Sequence, residues 1–162
     1  MYRVSFTGYR PEKLPFFGED DPLCAELKNR LHAQIKRLIE SGADIFNSGM
    51  ALGVDMWAAE TVLELKKEYP HITLNAVIPC PEQADKWSAE HKKRYQRLLK
   101  QCEKIITAEP RYTKSCMQKR NQALVELCDV LVAVFDGKKG GTMQTVNCAK
   151  AKGKQIILIS PL

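Results

Sequence analysis

Three stretches of this sequence bring glycine and charged side chains together in the way an anion-binding site requires. They are Thr7-Gly8-Tyr9-Arg10-Pro11, Asn47-Ser48-Gly49-Met50-Ala51-Leu52-Gly53-Val54-Asp55 and Asp136-Gly137-Lys138-Lys139-Gly140-Gly141-Thr142. Gly8 and Gly49 suit tight turns where backbone must come close to a ligand, because glycine has no Cβ. Gly53, and the pair Gly140 and Gly141 with Thr142, stand where amphipathic stretches begin. The unpaired N–H groups and the dipole of a helix start attract negative charge. Arg10 carries a planar fork of donors that fits phosphate, although a surface ion pair would use it equally well. Asp55 falls in the first turn after Gly53, where a carboxylate complements the helix dipole and can accept from sugar hydroxyls. A plain helix-start residue would look the same.

A fourth feature lies in the stretch from Ser115 to Leu127. Its apolar stripe, Cys116, Met117, Ala123, Leu124, Leu127 and Cys128, also takes in Arg120 and Asn121. Arginine can reach solvent from such a place along its aliphatic stem. Otherwise its guanidinium is buried and needs an anionic partner. Thr7 and Ser48 belong to the same segments and join the predicted ligand-binding set, which reads Thr7, Gly8, Arg10, Ser48, Gly49, Gly53, Asp55, Arg120, Asn121, Gly140, Gly141 and Thr142. Asp55 and Arg120 are the two candidates for a catalytic part. Trp87, Tyr9 and Tyr112 lie in or beside these segments and could stack on a base, whereas Trp57 sits inside a helical stretch and is expected in the core.

The elements that must hold these residues follow from hydrophobic periodicity. Strand-length apolar runs cover Arg3 to Thr7, Asp44 to Asn47, Thr73 to Ile78, Lys104 to Thr107, Val130 to Phe135 and Gln155 to Ile159. Helical stretches lie between them at about Leu23 to Ser41, Val54 to Glu68, Ser88 to Gln101, Ser115 to Leu127 and Thr142 to Lys152. Runs such as Val130 to Phe135 are apolar without alternation, as in strands covered on both faces. The expectation is an α/β, Rossmann-like, three-layer domain over residues 1–162, with a mainly parallel sheet of about six strands. In such sheets ligands sit outside the carboxyl ends of the strands. The glycine-bearing segments do follow strands rather than precede them.

Composition narrows the classes. The chain has 162 residues, 44% hydrophobic and 27% charged, the mix of an ordinary globular protein. No apolar run approaches the roughly 20 residues of a membrane span, and no leader pattern opens the chain, so a cytoplasmic protein with no membrane partner is expected. The six cysteines form no C-x-x-C pair and no zinc-type spacing, so neither metal nor cofactor is expected and the thiols should be reduced. The net charge of +6 is uneven: residues 1–80 carry nine Lys/Arg against eleven Asp/Glu, residues 81–162 sixteen against eight. Such a surplus suits an anionic small ligand or nucleic acid, but a solvated face such as Lys92, Lys93, Arg94, Arg97 and Lys100 accounts for much of it.

Taken in order, Thr7 to Pro11, Ser48 to Asp55, Met117-x-x-Arg120-Asn121 and Gly140 to Thr142 resemble the SLOG superfamily, in particular its YpsA-like branch of bacterial and phage proteins. The resemblance covers nearly the whole chain. The superfamily includes the DNA-processing protein Smf/DprA, whose Ser-Gly-x-Ala-x-Gly-x-Asp segment is similar to residues 48 to 55, and the lonely-guy phosphoribohydrolases. It implies a nucleotide or nucleotide-derived ligand of ADP-ribose or nucleoside-phosphate type, bound by a sensor or sequestering protein. The alternatives are cleavage of a nucleotide N-glycosidic bond and, less favoured, single-stranded DNA binding; pairing of the chain with itself is left open. Two departures count. Tyr9 stands where the YpsA-like loop has histidine, and Thr145 stands where the phosphoribohydrolases have their catalytic glutamate.

Overall fold

The computed structural model describes all 162 residues. Six strands form one all-parallel sheet in the order β4-β3-β2-β1-β5-β6. They are β1 (Arg3–Gly8), β2 (Ile45–Ser48), β3 (Thr73–Ile78), β4 (Lys104–Thr107), β5 (Val130–Val134) and β6 (Gln155–Ile159). The helices joining them are α1 (Pro22–Glu40), α2 (Val54–Lys66), α3 (Ala89–Lys100), α4 (Cys116–Glu126) and α5 (Gly141–Ala151). None is long and apolar enough to cross a membrane. This is the three-layer, Rossmann-like arrangement that the alternation of periods leads one to expect.

The strand order follows from the chain's path. From β1 it steps outward through β2 and β3 to β4, and α4 then carries it back to the other side of β1. Right-handed crossovers put helices made in opposite directions on opposite faces. Accordingly α1, α2 and α3 pack beside one another, and α4 packs on α5. The reversal falls between β1 and β5, whose carboxyl ends therefore flank the crevice.

Local signals start the helices. Asp21 caps α1 by accepting from the Leu23 N–H at 2.9 Å, ahead of Pro22, and Ser88 accepts from the His91 N–H at 3.2 Å to cap α3. Cys24, Leu27, Leu31, Ile35 and Leu38 give α1 one buried stripe at helical spacing. It joins Phe6, Phe46, Leu74, Val132 and Trp57 in the larger core.

The opposite face departs from the expectation of apolar strands. Under α4 the sheet presents Ser5, Asn47 and Asn75, all buried. The reason is the C-terminal half of α4, whose carbonyls need donors where no water reaches. The Ser5 hydroxyl donates to the Leu124 carbonyl at 2.7 Å, and the Asn47 amide to the Leu127 carbonyl at 3.2 Å. Asn47 also donates to Ser5 at 3.3 Å, and Asn75 to Asn47 at 3.2 Å. These bonds fix α4 against the sheet, and with it the side chains α4 sends into the crevice. Only Val125, Cys128, Leu131, Ala133, Val146 and Ala149 form an apolar core on this side.

Candidate functional site

A cleft of about 310 Å³ opens where the topology places it. The end of β1 and the loop after it contribute Thr7, Gly8, Tyr9, Arg10, Glu12 and Lys13. The turn after β2 adds Ala51, the start of α2 adds Asp55, α4 adds Met117, Arg120, Asn121 and Leu124, and α5 adds Gly141 and Thr142. Of the twelve residues expected to bind, Thr7, Gly8, Arg10, Asp55, Arg120, Asn121, Gly141 and Thr142 line it. Ser48, Gly49, Gly53 and Gly140 are not part of its lining. Glu12 and Lys13 were missed, although following the loop two residues past Pro11 would have found them.

The four residues outside the lining shape the backbone around it. Ser48 donates to the Asp55 carbonyl at 2.8 Å and accepts from the Met50 N–H at 3.1 Å, closing the turn before α2. At Gly49 a Cβ would lie 2.7 Å from Arg120 Nη1 and 2.8 Å from Asp55 Oδ2, so the bare backbone is what lets both charged groups converge there. Gly53 caps α2 with φ of 92° and touches the Tyr9 carbonyl. Gly140 caps α5 and lies against Lys13.

The two helix starts are not equivalent. At α2 the Val54 N–H donates to the Tyr9 carbonyl at 3.3 Å and the Met56 N–H to the Ala51 carbonyl at 3.2 Å, so these donors are engaged inside the protein. At α5 no side chain caps the helix, and the N–H groups of Gly141, Thr142 and Met143 have no intramolecular acceptor. Gly141 and Thr142 belong to the cleft wall.

Tyr9 is also corrected. Its ring is 2% exposed, and its hydroxyl is fully engaged, donating to Asp136 Oδ1 at 2.6 Å and accepting from the N–H groups of Asp136 at 3.2 Å and Lys138 at 3.1 Å. A ring so held cannot stack on a base. Instead it ties the loop after β1 to the loop after β5. The Tyr9 bond holds the Asp136 carboxyl below its usual range, and burial pushes the Tyr9 phenol up. Lys13 donates to the Lys139 carbonyl at 3.2 Å and Lys138 to the Lys13 carbonyl at 3.1 Å, which closes the rim.

Arg120 dominates the interior. It is 4% exposed. Its Nη1 donates to the Gly49 carbonyl at 2.6 Å and to Gln83 Oε1 at 3.3 Å, its Nε to Asn121 Oδ1 at 2.9 Å, and its Nη2 points at Met117 Sδ at 3.6 Å. Every one of these acceptors is neutral, and no carboxylate lies within 4 Å. Burial pulls its pKa down, with Asp55 opposing and Arg10 adding to the fall. Asp55, 7% exposed, accepts only the Ala51 N–H at 3.4 Å. Burial raises its pKa, while Arg120, the Ala51 N–H and Arg10 work against the rise.

A pH dependence follows. A carboxylate whose pKa is higher folded than unfolded makes the folded state less stable as pH rises from the unfolded value through the folded one, and the loss persists above it. Asp55→Asn should therefore match the wild type at pH below the ordinary aspartate range and be about 0.5 kcal/mol or more stabler at neutral pH, beyond the usual scatter of neutral changes. Urea denaturation of both proteins from pH 3.5 to 8 checks this. A neutral-pH loss would show that attraction to Arg120 outweighs the burial of Asp55.

The carboxylates of the cleft are Asp55 and Glu12. Thr145, at the position where phosphoribohydrolases carry glutamate, is 1% exposed and donates its hydroxyl to the Gly141 carbonyl at 2.9 Å. No acid enters the cleft from there.

Comparison with known proteins agrees with this arrangement. A family model described as the YspA SLOG family matches residues 4–159. A UPF0398 protein of Bacillus cereus strain G9842 is 33% identical over 157 residues, covering 95% of this chain and 85% of the relative. One of Bacillus pumilus strain SAFR-032 is 30% identical over 144 residues, 88% of this chain and 77% of the relative. Among solved structures, DNA processing protein A of Helicobacter pylori, described for its single-stranded DNA binding mode, superposes with a TM-score of 0.69 at 22% identity. DNA processing protein A of Streptococcus pneumoniae gives 0.67 at 16%. Both cover 97% of this chain, which spans 64% and 50% of theirs, and at such identities the likeness is one of fold.

Proposed function

Because the chain belongs to the YspA SLOG family, we propose that its cleft binds a phosphorylated, nucleotide-derived ligand of ADP-ribose or nucleoside-phosphate type, as a sensor or sequestering protein. The observation that carries this reading is Arg120, a buried guanidinium with only neutral acceptors around it, facing a cleft that also holds Arg10 and Lys13. A desolvated cation is unfavourable until an anion joins it, and phosphate matches the donor fork. The free N–H groups at the start of α5 support the same ligand charge. The reading is of binding rather than cleavage, since the position of the phosphoribohydrolase glutamate holds a threonine turned onto its own helix.

A panel of nucleoside phosphates and ADP-ribose, followed by thermal unfolding, tests the proposal. A ligand at 100 times its dissociation constant adds about 2.7 kcal/mol. For a chain of this length that is a rise of about 5 °C or more. No shift with any phosphorylated nucleoside would defeat the reading.

A second reading, single-stranded DNA binding, is favoured by one observation, the fold shared with DNA processing protein A. The sixteen Lys/Arg against eight Asp/Glu in residues 81–162 are compatible with it. It requires oligonucleotide affinity that falls steeply with salt. Affinity absent near about 100 mM salt, where such contacts still hold, rules it out.

A further inference from the structure

We propose that the anion cleft continues into a second hollow that takes the flat, heteroaromatic part of the same ligand against Trp87. The inference rests on the anion-cleft reading and adds where the ring of that ligand lies and which side chain receives it. The second hollow, of about 180 Å³, shares Arg10, Glu12, Ala51 and Met117 with the cleft and adds Leu52, Gln83 and Trp87. The contact of Arg10 Nη2 with Met117 Sδ, 3.7 Å, lies on the shared wall.

The two compartments differ in chemistry. The first has Arg120, Lys13 and the start of α5; the second adds one polar side chain, and that one is engaged. Gln83 donates its amide to the Gly49 carbonyl at 3.2 Å and to the Tyr95 hydroxyl at 3.3 Å, and accepts from Arg120. What the hollow offers is therefore surface: Leu52, Met117 and the indole of Trp87. That indole is oriented edge-to-face on buried Tyr95, with centroids 5.2 Å apart and planes at 78°. A ligand with phosphate beside Arg120 would pass Arg10 and lay a ring on Trp87. Stacking tolerates any base, because every base has a π-face. With Gln83 engaged, Glu12 is the acceptor this hollow offers to a sugar hydroxyl or a ring amino group.

The pair of probes that tests this is adenosine 5′-monophosphate and ribose 5-phosphate, which share the sugar phosphate and differ at C1′, adenine in one and hydroxyl in the other, titrated calorimetrically. The monophosphate should bind about tenfold tighter, a difference of about 1.4 kcal/mol. Trp87→Ala should bring it down to the ribose 5-phosphate level without changing the latter, and Trp87→Phe should keep most of the difference. In a Trp57→Phe background, where Trp87 is the one remaining indole, emission should change with the monophosphate and not with ribose 5-phosphate. This readout does not depend on Trp87→Ala folding. Equal affinity of the two probes with silent Trp87 emission overturns the base subsite and leaves the anion cleft standing. If neither probe binds and no other nucleotide does, both fall.

Discussion

Arg120→Met is expected to weaken binding of a phosphorylated nucleoside at least about 100-fold, about 2.8 kcal/mol, while the unliganded protein stays as stable as before or becomes more so. The two halves of this expectation have one cause. The guanidinium is buried without a carboxylate within 4 Å, so its desolvation is met by hydrogen bonds to neutral groups and by Asp55 from farther off, itself destabilised by burial. Replacing such a charge by an apolar side chain of similar volume is commonly neutral or favourable for folding. Of the three oxygen acceptors left behind, the Gly49 carbonyl keeps the Gln83 amide at 3.2 Å, and the Asn121 and Gln83 oxygens belong to half-buried side chains that can turn. The ligand, in contrast, loses a desolvated cation whose Nη2 has only the Met117 sulfur as a partner. Calorimetric titration and urea denaturation measure the two halves separately. Arg120→Lys should fall between, keeping charge without the fork. Wild-type affinity in Arg120→Met would remove the guanidinium from the site, and a large loss of stability would make it a structural residue instead.

Gly53→Ala is expected to destabilise the protein by about 3 kcal/mol or more, lowering the melting temperature by about 6 °C or more. At φ of 92° an L side chain is strained whatever its surroundings, and here the new Cβ would also lie 2.6 Å from the Tyr9 carbonyl and 3.1 Å from the Arg10 Cα. Both obstacles are backbone and cannot rotate aside. Relief requires α2 to move off the loop after β1, which breaks the Val54 N–H bond to Tyr9 and shifts Arg10 and Asp55 in the cleft. Gly137→Ala isolates the conformational part, since Gly137 has φ of 100° in open space and should cost only about 1 kcal/mol. If chemical denaturation finds the two variants equal, the close approach at Gly53 contributes nothing.

Most of the framework was legible because its signals are local. The unbroken apolar run from Val130 to Phe135, and the stripe from Cys24 to Leu38, each record what a strand or helix buries within its own span. The rule that ligands gather at strand ends then marks Arg10, Asp55 and Gly141 from sequence position alone. Ser5, Asn47 and Asn75 carried no such signal. A polar residue in an apolar run says nothing about which helix carbonyl lies above it, and Ser5 meets Leu124 across 119 positions of sequence.

Sequence alone thus determined the alternation of strands and helices, the kinship of the ordered motifs, and the end of the sheet where chemistry should lie. Tertiary structure decided how the motifs divide the work. It turned Tyr9 from a stacking ring into a tie between loops, engaged the Val54 and Met56 donors of α2 while leaving those at the start of α5 free, and set Gly49 as the point where Arg120 and Asp55 converge. The physical reason is that periodicity records burial along one element, whereas a donor's availability and a charge's partner depend on packing between elements far apart in the chain.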